Sequence, residues 1–298
     1  MINKKRAREE KFIDFIGIKF MNKTLEKMKD EFVEQIKKAD CVLGAWNFGS
    51  EMHGLSDEYS DVDIILLIDG RQFTQFEESL ELYLEQISDE ILLCWPEEFN
   101  SEAIINNGYL LLKSDSIFQF DVFLLNSDKL DDFMCRLHYT DLQENNIIFD
   151  KTGDVKKLMQ LNLTGSSWDA DVAHLEKTYW YHANMTSKYL KRKDYFKLYN
   201  VLHTMYETHV SILLTGFDET LWGGTANKLH FIPEDKQDHL KKYFCSEDFA
   251  QVQKNLIECM KNFQSDAREV YELKNIKYSS SLSDLIISNY IKEYDSMI

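Results

Sequence analysis

Apolar residues recur three or four apart at Leu25, Met28, Phe32 and Ile36, so Asn22–Lys38 is predicted to be a helix with one buried face. Cys41–Phe48 is a short apolar run that reads as a buried strand. Val62–Ile68 is nearly continuous in apolar residues and reads as a second strand. Gln72–Ser88 is a charged, leucine-bearing helix, and Ile91–Trp95 is a short strand ended by Pro96. Tyr109–Lys113 and Ile117–Leu125 are predicted to be two more strands, turned by Ser114, Asp115 and Ser116.

Beyond about residue 126 the strand signals fade. Ser127–Gln143 is predicted to be helical with Ser127 as its N-cap. Asp169–Lys191 and Asp194–Leu214 are long amphipathic patterns forming a helical hairpin. A loop at Gly223 and Gly224 follows, and Lys236–Phe244, Phe249–Leu273 and Ser281–Met297 complete a bundle. Breaks fall at Thr152–Asp154 and again at Thr164–Ser167, and the boundary is placed near residue 150. The expected class is α+β: a mixed-sheet domain over 1–150, then a C-terminal helical bundle domain over 151–298.

Composition narrows the function. The 298 residues are 44% hydrophobic and 29% charged, which suits a globular protein with a sizeable core. No apolar run approaches the ~18 residues of a membrane span, so no membrane partner is expected. The amino-terminal MINKKRAREEKF has no apolar stretch, so no secretory signal is expected either. The net charge is −17, which disfavours a phosphate-backbone partner over a large surface and suits a cationic small substrate. Cys41, Cys94, Cys135, Cys245 and Cys259 include no CxxC pair and read as buried thiols of a reducing cytoplasm.

The informative segment runs from Asn47 to Ile68. Gly49-Ser50 ends a strand, and ten residues later Asp61-Val62-Asp63 opens the next. Strand alternation puts Asp61 and Asp63 on one face, roughly 7 Å apart along the strand, with Val62 on the other. Paired carboxylates are costly unless a cation neutralises them, and hard oxygen ligands suit Mg²⁺. Glycine lets a phosphate approach the backbone. Asp121, a lone acid in an apolar strand, is the candidate third ligand; an edge-strand acid facing solvent is the alternative.

Gly49-Ser50, Asp61-Val62-Asp63 and the Asp121 strand together resemble the polymerase-β-like nucleotidyltransferase superfamily, over about residues 40 to 125. Within it the chain is similar to aminoglycoside 6-adenylyltransferases and the larger lincosamide nucleotidyltransferases. Tyr179-Trp180, the segment Leu190–Tyr195 and the loop Gly224–Phe231 add weaker likenesses. Two positions depart from the family pattern: Glu51 stands where those enzymes carry Arg, and Val62 where an aromatic residue is common.

The resemblance implies a Mg²⁺-dependent adenylyltransferase of antibiotic resistance, cytoplasmic, moving AMP from ATP or another nucleoside triphosphate to a hydroxyl of an aminoglycoside or lincosamide. It implies two Mg²⁺ ions held by Asp61, Asp63 and Asp121, and a triphosphate against Gly49 and Ser50. Lys188 and Arg192, one turn apart on a helix, are candidates to reach the phosphates, or form a solvated basic face. Glu176 and Glu207 are candidate bases or substrate carboxylates, with Asp169 and Asp171 nearby in sequence. Trp180 is a candidate stacking residue, with a buried interface as its alternative. His53 reads as a loop histidine, and His203 and His209 as packing residues. Alternatives with the same fold are a transferase acting on a protein or tRNA, as in toxin–antitoxin pairs, and a non-catalytic nucleotide-binding module. The acceptor, the nucleotide, the base and the oligomeric state stay open, a homodimer being one option.

Overall fold

The computed structural model describes residues 21–52, 54, 56–140, 142–161, 171–217, 225–244, 246 and 248–295. The chain divides into two compact units, Met1–Leu163 and Thr164–Ile298. His53, Asp169, Cys245, the Thr164–Ser167 break and the Gly223–Gly224 loop lie outside the described residues. Among the described residues, no helix is long and apolar enough to cross a membrane.

The first unit is built on a six-stranded mixed sheet. Its elements are α1 (Lys23–Ile36), β1 (Val42–Asn47), α2 (Gly49–Met52), β2 (Val62–Ile68), α3 (Phe73–Ile87), β3 (Glu90–Pro96), β4 (Ile104–Lys113), β5 (Ser116–Asn126), α4 (Phe133–Tyr139), β6 (Ile147–Asp150) and α5 (Asp154–Gln160). The strand order is β3-β4-β5-β2-β1-β6. All pairs are antiparallel except β2 with β5, which run parallel. Helices α1 and α3 bury Leu25, Met28, Phe32, Phe76, Leu80 and Leu84 against one face of the sheet, where Val62, Ile64 and Val122 meet them. Asn22 caps α1 by accepting from the Thr24 amide, as its short polar side chain allows.

Several local expectations change. The strand expected from Tyr109 starts at Ile104, because Asn106, Asn107 and Gly108 hid it in the sequence. The β4–β5 hairpin closes through Ser114 and Asp115, both with positive φ (50° and 64°), the two-residue turn that matches strand twist. The helix expected over Ser127–Gln143 is only Phe133–Tyr139, capped by Asp132, whose carboxylate accepts from the amides of Met134 and Cys135. Ser127 instead accepts from the Gly70 amide. Cys94 is exposed on the edge strand β3 and Cys41 is half-buried, whereas Cys135 and Cys259 are buried.

The second unit is helical: α6 (Val172–Lys191), α7 (Tyr195–Phe217), α8 (Glu234–Leu240), α9 (Phe249–Leu273) and α10 (Ser281–Asp295). Lys193, at φ 51°, turns α6 into α7. Tyr179, Trp180, Leu213 and Phe263 lie in its core, with the Tyr179 and Phe263 rings stacked 3.5 Å apart.

A polar network runs through this apolar core. Asp266, fully buried, accepts from His209 Nε2 at 2.9 Å, Lys236 Nζ at 2.8 Å and His239 Nδ1 at 2.8 Å. His209 Nδ1 lies 2.9 Å from the Tyr243 hydroxyl, which lies 2.8 Å from that of Tyr179. Burial favours the neutral imidazole, so the network is satisfied when Tyr243 donates to Nδ1 and Nε2–H donates to Asp266. Burial alone would push the Asp266 carboxyl up, but bonds from His209, Lys236 and His239 win and hold it at about 2.

Asp266→Asn is expected to destabilise the helical unit by on the order of 3 kcal/mol, since it takes the buried anion from His209, His239 and Lys236 and leaves Lys236 only the more exposed Glu269. The carboxyl is held below its ordinary 3.8, so its contribution is complete above pH 4 and is lost as the pH falls towards 2. Denaturant titrations at pH 7 and pH 3 should show a large deficit of the variant at the first pH and a smaller one at the second. An equal deficit at both would refute the network's role.

Candidate active site

Parallel pairing of β2 with β5 places Asp63 directly beside Asp121 in the register. Asp61 immediately precedes β2, and one oxygen from each of the three carboxylates lies within 4.8 Å of the others. Strand β5 lies between β2 and β4, so Asp121 is on an interior strand rather than an edge. Val62, between the paired acids, is fully buried on the α1/α3 side of the sheet. The strand alternation expected from the sequence therefore holds in the backbone.

Two glycines make room for the acids. Gly49 has φ 55°, and a Cβ there would collide with the Asp63 carboxylate. A Cβ at Gly108, opposite Asp121 on β4, would stand 2.7 Å from Asp121 Oδ1. Any side chain at either position would fill space that the carboxyl groups use. Sequence reasoning passed over Gly108; its signal is a glycine inside a strand, which often marks close approach of another group.

Electrostatically the cluster is unbalanced. Burial, then the charges of Asp61, Asp121 and Glu51, push the Asp63 carboxyl up from 3.8 to about 8. Asp121 is raised chiefly by burial, with Asp61 and Glu97 adding to it, against a lowering bond from Gln119 Nε2 at 2.9 Å. Ser50 Oγ and Asn47 Oδ1 are closed off from solvent and have no protein partner. An all-oxygen, anionic donor set of this kind fits a hard divalent cation such as Mg²⁺, and an orphaned hydroxyl after a close-approach glycine fits a phosphate oxygen. Glu51 does not join the acids as a ligand: its carboxylate accepts from Lys29 Nζ and from Asn47 Nδ2.

The other sequence candidates lie in the helical unit. Trp180 is fully buried with Tyr179 and Phe263, so the stacking role expected of it is corrected to core packing. Its ring meets those of Tyr179 and Phe263 edge-on. Glu176 accepts from the Tyr271 hydroxyl at 2.6 Å. Glu207 is exposed, 3.9 Å from His203 one turn away. Lys188 is exposed with its ammonium over the Tyr189 ring, and Arg192, also exposed, is the C-cap of α6.

The family model for streptomycin adenylyltransferase matches residues 22–294. Among solved structures, an aminoglycoside 6-adenyltransferase from Bacillus subtilis matches at 13% identity, covering 90% of this chain and 97% of that one with a TM-score of 0.42. No curated protein matches the chain.

Asp63→Asn should separate the cost of the cluster from its use. The Asp63 carboxyl is raised above its ordinary value, so the metal-free protein loses stability as the pH rises from about 4 to 8 and does not regain it above. The variant lacks that slope and should be the more stable protein at pH 8.5. Millimolar Mg²⁺ or Mn²⁺ should raise the melting temperature of the wild type and not of the variant. A metal-induced shift that survives in Asp63→Asn would show that the three acids do not form a cation site.

Proposed function

The chain belongs to the streptomycin adenylyltransferase family, and from that premise we propose that it transfers AMP from ATP to a hydroxyl of an aminoglycoside, with Asp61, Asp63 and Asp121 at the reacting phosphate. The observation that carries this reading is the convergence of the three carboxylates beside Gly49 and the unpartnered Ser50 hydroxyl.

In this scheme the triphosphate lies against Gly49, whose missing side chain leaves the approach open, and the Ser50 hydroxyl donates to a phosphate oxygen. Asp61 and Asp63 would hold Mg²⁺ with the phosphates, and Asp121 would hold a second ion near the acceptor. Bound there, Mg²⁺ supplies neutralisation of charge on the attacking and leaving oxygens. The acceptor oxygen forms a bond to the α-phosphorus while the bond to pyrophosphate breaks. The hydroxyl proton would pass to Asp121, the acid assigned to the acceptor side in this scheme. Glu176 and Glu207 are assigned to the cationic acceptor, Glu176 being oriented by Tyr271. Lys188 and Arg192, exposed cations at the end of α6, suit phosphate by their charge. ATP as donor and a reducing setting for the free thiols both fit a cytoplasmic enzyme.

The family match favours an aminoglycoside over a lincosamide. An acceptor recognised by carboxylates should bind more weakly as salt is added. Pyrophosphate release with ATP and Mg²⁺ should therefore require an aminoglycoside such as streptomycin. The acceptor KM should rise between low and high ionic strength. Asp61→Asn, Asp63→Asn and Asp121→Ala should each lower turnover by about 10³-fold or more with the far-ultraviolet circular dichroism unchanged. Release driven by a lincosamide and not by any aminoglycoside would reassign the acceptor. Normal turnover in any of the three variants would remove the mechanism.

A further inference from the structure

One buried ion pair beside the three acids has no part in the scheme above. Lys29, on α1, is 8% exposed and its Nζ donates to Glu51 Oε2. The other oxygen, Oε1, accepts from Asn47 Nδ2 at 3.1 Å. Asn47 is the last residue of β1, and Glu51 lies in α2, two residues after Gly49. A single carboxylate thus ties together α1, the end of β1 and the Gly49–Met52 turn.

The turn is where position matters most. Gly49 is held at a positive φ with no space for a side chain against Asp63. Two of the buried polar atoms without partners, Asn47 Oδ1 and Ser50 Oγ, belong to residues on either side of Gly49 in the sequence. Orphaned atoms in a buried setting point to a group that completes them. Asn47 spends its amide N–H on Glu51, so its carbonyl oxygen is fixed in place rather than free to rotate away.

Charge gives the pair a second effect. Glu51 is already among the groups that raise Asp63. Without Lys29 it would stand as an uncompensated anion beside three other carboxylates, where a triphosphate must come in. With Lys29 the pair adds no net charge.

We propose that Lys29 and Glu51 are positioning residues that hold the Gly49–Ser50 turn, with the Ser50 hydroxyl, in the geometry that takes the nucleotide triphosphate. The proposal rests on the nucleotidyl-transfer reading. It predicts loss of nucleotide affinity when the pair is broken, and recovery in part when its charges are exchanged and in the main when both residues are made neutral.

The test measures equilibrium binding of a non-hydrolysable ATP analogue with Mn²⁺ by calorimetry, alongside steady-state KM for ATP and kcat. Lys29→Gln should weaken analogue binding by about tenfold or more, because it leaves the half-buried Glu51 carboxylate without its cation beside the three acids. The KM for ATP should rise in parallel, with kcat at saturation changed far less. The exchanged pair Lys29→Glu with Glu51→Lys should recover part of that loss, since it restores the net charge but gives up the acceptor for Asn47 Nδ2. The neutral pair Lys29→Gln with Glu51→Gln keeps an amide oxygen that accepts from Asn47 Nδ2, and it should recover most of what Lys29→Gln alone loses. A pair that matters only for folding would lower the melting temperature of the single variant and leave its analogue affinity intact. Affinity within twofold of wild type in folded Lys29→Gln, or a double variant no better than the single, overturns the proposal. Wild-type protein that binds no analogue overturns the nucleotidyl-transfer reading and the clamp with it, whereas wild-type binding with equal binding by the variants overturns the clamp alone.

Discussion

Parallel pairing of β2 with β5 sets the Asp63 and Asp121 carboxyl groups side by side, and two anions at that separation repel each other in a partly desolvated site. Much of the first unit accommodates that repulsion. Val62, Ile64 and Val122 on the opposite face bury against α1 and α3, so the strands cannot slip to relieve it. Gly49 and Gly108 withhold side chains where the carboxyls lie. Lys29 cancels the one further acid, Glu51, that the turn brings close. What remains uncancelled is held as a proton on Asp63, whose carboxyl is pushed up to about 8. In the proposed reading, a divalent cation held by these acids would take the place of that proton.

The same residue type behaves oppositely in the helical unit. Asp266 is buried more completely than Asp63, yet its carboxyl is held at about 2. The difference is the partners. Asp266 accepts from three nitrogen donors, one of them an ammonium, while Asp63 faces other carboxylates. Burial alone therefore does not mark a functional acid; an uncompensated burial does. Asp266 finishes its own hydrogen bonds inside the protein and reads as a core element. Asp63 does not.

The legibility of these features in the sequence follows from how local their causes are. The acids at Asp61 and Asp63 were readable because strand alternation is a two-residue rule, and Asp121 because one charge interrupts an apolar strand. The long helices α6, α7, α9 and α10 were readable from a repeat that spans many turns. Gly108 was not, since its role depends on a register between β4 and β5 that only the folded sheet fixes. The start of β4 was masked by Asn106 and Asn107; in the folded chain Asn100 accepts from the Asn106 backbone amide and donates to Asn107 Oδ1. Trp180 misled because an aromatic pair on an amphipathic helix has the same pattern whether it stacks on a ligand or on Phe263. The Asp266 network was invisible for a related reason: Lys236, His239, His209 and Asp266 come from three helices and meet only through packing.

Stability and activity make opposite demands on carboxylates, and each demand is met in a different compact unit. A site that binds metal and triphosphate must leave donor atoms unfinished, and Ser50 Oγ, Asn47 Oδ1 and the crowded acids are unfinished in that sense. Such a site weakens the fold that carries it unless the surrounding strands are over-determined by packing. The sheet supplies this through Ile64, Leu66, Val122 and Leu124, all fully buried on adjacent parallel strands. Relief then comes from the ligands themselves. In the proposed reading, Asp61, Asp63 and Asp121 would hold divalent cations, which would supply the charge neutralisation that lets a triphosphate come beside three carboxylates. Under the proposed function, the acidity of the cluster would make nucleotide binding depend on metal, and the geometry of the Gly49–Ser50 turn would decide where the phosphates come to rest.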